Sequence, residues 1–187
     1  RGNLLIEVQT RSFSSIRQKL SVLLEQHPVR LVHPIAQEKW LIKLGDDGTS
    51  RLSRRKSPKH GSWEHIFEEL VSFPRLLAEP GFSLEMLLTQ QEEVRRHDGR
   101  RAWRRRGWVI QERRLLRVLE RQLLQTPEDL LALVPPGLEE PFTTLDLAQA
   151  LARPRRLAQQ MAYCLREAGV LEPVGKSGNA IQYVRMV

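Results

Sequence analysis

The stretch NLLIEVQTRSFSSIRQKL, Asn3 to Leu20, sets the reading of the fold. Leu4 to Val8 is a short strand, apolar enough for the middle of a sheet. Ser12 then opens a helix whose apolar positions Phe13, Ile16, Leu20, Leu23 and Leu24 share one face, and His27-Pro28 ends it. Strand residues two apart point the same way, so Glu7 and Gln9 share one face of this expected strand. A carboxylate and an amide in a strand otherwise built for burial are candidates for chemistry.

Further strands are expected at Val29–His33, Lys39–Leu44 and Arg51–Ser53, the last two joined by the turn signal Gly45-Asp-Asp-Gly48. Residues 54–61, RRKSPKHG, read as a basic loop, with Arg54, Arg55 and Lys56 as candidate phosphate contacts. A helix follows with Trp63, Ile66, Phe67, Leu70 and Val71 on its apolar face. Phe82 to Gln91 alternates as a half-buried strand does. Between residues 95 and 108 the chain carries seven arginines and two tryptophans, so Arg104, Arg105 and Arg106 become candidate contacts to nucleic acid. Leu115, Leu116, Val118, Leu119, Leu123 and Leu124 predict a linking helix over 111–125.

The last sixty residues change character. Thr126-Pro-Glu-Asp129 and Thr143-Thr-Leu-Asp146 are capping boxes, each opening a helix. A third helix runs from Arg155 to Ala168 and stops at Gly169. Two short strands, Val170–Val174 and Ala180–Met186, are joined by Gly175-Lys-Ser-Gly-Asn179. Three helices followed by a hairpin are the order of a winged helix-turn-helix. On the third helix Leu157, Met161, Cys164, Leu165 and Ala168 face inward, which leaves Arg155, Arg156, Gln159, Gln160, Tyr163 and Arg166 outward. Arginine and glutamine suit bidentate reading of guanine and adenine edges. Arg155, Arg156, Gln159, Gln160 and Tyr163, with Arg153 at the preceding turn and Lys176 and Asn179 at the hairpin tip, form the expected DNA-binding set.

The expected fold is therefore α+β, a mixed sheet with flanking helices over 1–110, the linking helix over 111–125, and a winged helix over 126–187. Thirty Lys and Arg stand against 22 Asp and Glu, a net charge of +8. The sequence pI is near 10.3. Such a balance favours a polyanionic partner. One cysteine excludes a disulfide framework and a thiolate metal site, and five scattered histidines lack zinc-ligand spacing. No apolar run approaches the ~20 residues of a membrane helix, so a cytoplasmic location is expected. The chain begins Arg-Gly-Asn, without methionine, and reads as a fragment of something longer.

Glu7-Val-Gln9 followed at once by a basic amphipathic helix resembles the second half of the motif of the restriction-endonuclease-like (PD-(D/E)XK) nucleases. In that family an Asp lies on one strand and a Glu-x-Lys on the next. Here Glu7 matches the glutamate, Gln9 stands where lysine is usual, and residues 1–6 hold no acidic side chain. The stretches HPVRLVHPI, RRKSP and MAYCLREAGVL are similar to an uncharacterised bacterial family that joins such a core to a winged helix. The resemblance implies Mg²⁺ or Mn²⁺ on Glu7, Gln9 orienting water or phosphate, and Lys19 supplying the displaced ammonium. It thus implies a metal-dependent DNA nuclease or a nuclease-derived DNA-binding protein, with double-stranded or branched DNA as partner and a homodimer as one assembly. The alternative is a non-catalytic winged-helix DNA-binding regulator with a degenerate nuclease fold, and a third reading is an RNA-binding or interaction module.

Overall fold

Strand β1, Leu5–Val8, lies parallel to the start of β2, Val29–Leu44, with Leu5 opposite Val29 and Val8 opposite Val32. The far half of β2 pairs antiparallel with β3, Arg51–Lys56, with Trp40 opposite Lys56. The computed structural model describes residues 3–10, 12–98 and 107–186. Its larger sheet has the order β1-β2-β4-β5, where β4 is Phe82–His97 and β5 is Trp108–Leu124, and β3 joins β2. Parallel and antiparallel pairs in one sheet, with helices beside it, make the protein α+β.

The helices are α1 (Arg17–Leu24), α2 (Phe67–Leu70), α3 (Thr144–Leu151) and α4 (Arg155–Glu167), with 3-10 turns at Phe13–Ile16, Trp63–Ile66, Leu76–Ala78 and Pro127–Leu133. A second sheet orders β6 (Phe142–Thr143), β8 (Ala180–Arg185) and β7 (Leu171–Ser177). The chain divides into two compact units. One gathers Arg1–His33, Trp63–Met86 and Gln122–Val187; the other gathers Pro34–Ser62 and Leu87–Arg121.

In the first unit the apolar faces meet as the spacing dictates. Phe13, Leu20, Leu31, Ile66, Phe67 and Leu70 are all but fully buried, as are Leu157, Met161 and Leu165 of α4. Each such side chain contributes ~1.5–3 kcal/mol by leaving water. Polar contacts tie α4 and its approach to the segments on either side of α2: Arg153, ahead of α4, donates through Nε to Glu64 at 2.5 Å, and Glu167 of α4 pairs with Arg75 at 3.2 Å. Both expected capping boxes form, with the Asp129 carboxylate accepting from Thr126 N–H and that of Asp146 from Thr143 N–H.

In the second unit Ile42, Leu44 and Val94 form a small apolar cluster on one face of the sheet. The turn after β2 is closed by Gly45 N–H donating to Ser50 O, with Gly48 at φ 69°. Asp47 accepts from Thr49 N–H and Ser50 N–H. Bonds from Ser50 and Thr49 draw its carboxyl down to about 2. Asp47 is thus a turn-former, as its setting in the sequence suggests.

Four expectations need correction. β1 is an edge strand rather than a central one: Ile6 and Val8 are 64% and 60% exposed, and Glu7 lies on the opposite, half-buried side. β2 is one strand across Pro34, because β1 pairs only with residues 29–32 and β3 only with 40–44, so no ladder bond to either is asked of the proline. The basic stretch Arg54–Lys56 is strand, not loop. Finally, 111–125 is not a linking helix but most of β5. Its leucine spacing suits a helix locally, yet pairing beside β4 decides the outcome. Gly107 at φ 80° leads into β5, and its carbonyl accepts from Asp98 N–H at 2.7 Å.

Candidate functional site

α4 is the helix on which the outward residues converge. Ala152, in the left-handed region at φ 52°, stops α3, and Pro154 starts α4 one residue before Arg155. Leu157, Ala158, Met161, Ala162, Cys164 and Leu165 are buried, which fixes the rotation of the helix about its axis. Arg155, Arg156, Gln159, Tyr163 and Arg166 are exposed, and Gln160 is half-buried.

Arg155, Gln159, Tyr163 and Arg166 form a stripe one turn apart. Together with Asn179 and Ile181 of the hairpin they line an open cleft of about 240 Å³. The Arg166 guanidinium lies 5.8 Å from the Tyr163 ring centroid and pairs with Glu167 at 3.1 Å. The charge of Arg166 is therefore shared, whereas Arg155 and Gln159 carry the polar recognition capacity of the cleft. Of the expected set, the fold brings together Arg155, Gln159, Tyr163 and Asn179. Arg156, Gln160 and Lys176 do not line this cleft, and Arg153 is committed to Glu64. Cys164 is fully buried with its thiol 4.0 Å from Phe67 O; burial pushes that thiol up to about 12, so it is core rather than reactive.

The second candidate lies at β1. Lys19 Nζ, on α1, donates to Glu7 Oε2 at 2.7 Å. The expected ammonium does reach the carboxylate. Gln9 is engaged elsewhere. Its amide donates to Ser12 O and Ser15 Oγ, both at 2.9 Å, and so ties β1 to the following turn. His33, buried against the edge of Phe13, bonds through Nδ1 to Gln9 O at 2.8 Å. Burial lowers its pKa despite that bond and the nearby Glu69. Among the described residues no three His, Cys, Asp or Glu gather where they could hold a metal ion. Glu7 meets the Lys19 ammonium there, and no second carboxylate stands beside it among the described residues.

On β3, Arg54 pairs with Glu92 at 3.0 Å and lies 3.9 Å from the Trp40 ring centroid, while Lys56 pairs with Glu38 at 2.5 Å. Arg55 points to the other side of the strand. Arg104, Arg105 and Arg106 lie outside the described residues. One charged group escaped the reading of the sequence: buried Glu93, ringed by Lys39, Arg95 and Arg113. The i, i+2 spacing of Glu93 and Arg95 would have signalled it had β4 been carried past Gln91.

The chain belongs to a family described as a domain of unknown function (DUF8091), whose model matches residues 1–125. It is 31% identical over 145 residues to an uncharacterized protein of Treponema pallidum (strain Nichols), across 78% of this chain and 57% of that protein. The chain thus spans little more than half the length of this relative. No solved structure matches it.

Proposed function

We propose that this protein binds nucleic acid, and that α4 with the β7–β8 hairpin is a winged helix-turn-helix whose cleft meets a DNA duplex. The observation that carries this reading is the convergence of Arg155, Gln159 and Tyr163 with Asn179 around one open, polar cleft. Arg155 and Gln159 stand on the first two turns of α4, the part of a recognition helix that enters the major groove. The net charge of +8 supplies the long-range attraction.

Residues 1–110 are, on this proposal, nuclease-like by ancestry rather than by activity. A carboxylate engaged by Lys19 leaves hydrolysis without a second ligand among the described residues. The proposal is accordingly a nuclease-derived, non-catalytic DNA-binding protein.

The test is duplex binding by the full chain across a salt series, with Mg²⁺-dependent cleavage of the same DNA followed in parallel. Arg155→Ala with Gln159→Ala should weaken binding at least tenfold, since each good base contact is worth ~1–3 kcal/mol. Affinity that is unchanged in this variant would remove the cleft from the proposal. Mg²⁺-dependent cleavage lost in Glu7→Ala would restore the catalytic reading.

A further inference from the structure

In the second unit one face of the sheet concentrates positive charge in a way that the other does not. Glu93 is 4% exposed and pairs with three cations on three strands: Lys39 of β2 at 4.0 Å, Arg95 of β4 at 2.5 Å and Arg113 of β5 at 3.5 Å. Lys43 lies four residues beyond Lys39 on β2 and so shares its face. Its Nζ rests 4.3 Å from the ring centroid of Trp108, which His97 meets edge-on at 5.5 Å. Arg55 stands directly across from Leu41, on the same face again. Five cations therefore share this face with Glu93, and only three of them contact it.

The opposite face shows what charge pairing looks like in the same strands. There Arg54 meets Glu92, Lys56 meets Glu38 and Arg114 meets Glu112, one to one. Of that face's five cations among the described residues, only Arg51 and Arg96 stand outside these pairs, Arg96 near Asp98. Burial, countered by Glu93, and then the cations Arg113, Arg95 and Lys59 leave the Lys39 ammonium below its ordinary pKa. Burial works to raise the Glu93 carboxyl, but Arg95, Lys39 and Arg113 hold it down. The glutamate is thus a fixed anchor that aims three cations while neutralising one charge. The surplus remains, held in place by a buried carboxylate and an uncharged indole.

We propose that this face, carrying Lys39, Lys43, Arg55, Arg95 and Arg113, is a second nucleic-acid contact that takes the phosphodiester backbone. Cations ~13 Å apart along a strand and ~5 Å apart across strands suit a chain of phosphates repeating every ~3.4 Å better than a single small anion. Anchored side chains lose little freedom on binding, which favours contact without base reading. The ligand class rests on the reading of α4 as a nucleic-acid surface, but the face lies wholly within the other unit.

The test uses the full chain and a short duplex, with log affinity followed against log salt. The double variant Lys43→Gln with Arg55→Gln removes two cations that do not touch Glu93; Arg54→Gln with Lys56→Gln is its opposite-face control. Both are made in the native chain and in the Arg155→Ala, Gln159→Ala background, with unfolding midpoints to verify the fold. The first pair should flatten the salt slope by ~1.8, at ~0.9 per lost phosphate contact, in both backgrounds, and the control by less than half as much. Equal flattening by both pairs would reduce the effect to bulk charge and overturn the proposal. So would binding of polyglutamate or anionic lipid vesicles as tight as that of the duplex. If the α4 variant alone leaves affinity unchanged while the Lys43, Arg55 pair still flattens the slope, the cleft reading fails and this one stands.

Discussion

Lys19 Nζ and Glu7 Oε2, 2.7 Å apart, join α1 back to the strand that precedes it. The lysine side chain is 53% exposed and the glutamate 24%, so water screens the pair. It should contribute no more than ~1 kcal/mol. A double-mutant cycle of Glu7→Gln and Lys19→Met, read from urea midpoints, should return a coupling within that bound. A coupling of several kcal/mol would mark a charge pair built for more than local fastening.

Within α4 the two neighbouring arginines should differ. Arg155 lines the cleft and Arg156 does not. Arg155→Ala should cost duplex affinity the larger part of a tenfold change and blunt discrimination between sequences, since base contacts carry specificity. Arg156→Ala should weaken all sequences alike and only slightly. Competition binding with two unrelated duplexes separates the cases, and reversed ranks would mean that the helix presents another face.

His33 should make stability depend on pH. In the unfolded chain its imidazole titrates near ~6.5; in the fold, burial holds it lower. Between the two values the unfolded chain binds more protons, so stability rises with pH there. The contribution is complete above ~6.5 and is lost as pH falls through the folded value. Thermal midpoints should drop on acidification in the native chain, and less steeply in His33→Gln. Parallel curves would assign the drop to other groups.

Cys164 should be silent to thiol reagents in the native protein. With its thiol pushed up to about 12, almost no thiolate exists at neutral pH, and the side chain is fully buried. Modification should appear only with unfolding, at a rate that tracks denaturant. Prompt reaction in buffer would contradict the packing of α4 on α2.

Ala152 holds φ 52° at the end of α3, where a side chain costs ~1–2 kcal/mol. Glycine removes that strain but adds freedom to the unfolded chain worth ~0.4–1 kcal/mol. Ala152→Gly should therefore stabilise by a few tenths to ~1 kcal/mol, visible as a raised midpoint. A lowered one would show that the methyl group packs usefully.

The sequence carried α3 and α4 closely, because there every signal is local: the capping box at Thr143, the Pro154 start, and the inward stripe from Leu157 to Leu165. The capping box at Thr126 opens a 3-10 turn instead of a full helix, β7 runs on to Ser177 through most of the expected linker, and β6 had no local signal. It failed where pairing partners decide. The leucines of 115–124 sit at helical spacing, and only the neighbouring β4 makes them strand. β1 looked central because Ile6 and Val8 are apolar, yet nothing in four residues says which edge of a sheet they occupy. For the site, outward positions on α4 were legible from periodicity, while the choice of Arg155 over Arg156 required the hairpin to be in place. The Glu93 cluster joins three strands from residues 39 to 113, a distance that no local pattern spans.

The family match ends at residue 125, but the compact unit does not. Cys164 reaches the backbone of Phe67, Glu167 reaches Arg75, and Arg153 reaches Glu64. A reading head on a tether can be exchanged between proteins by recombination, carrying its specificity with it. One whose inner surface completes another segment's core has no such inheritance: a cut at 125 would strip the cover from Ile66, Phe67 and Leu70. If α4 is the nucleic-acid surface proposed above, new target preferences would then arise by substitution on its outer stripe, one side chain at a time.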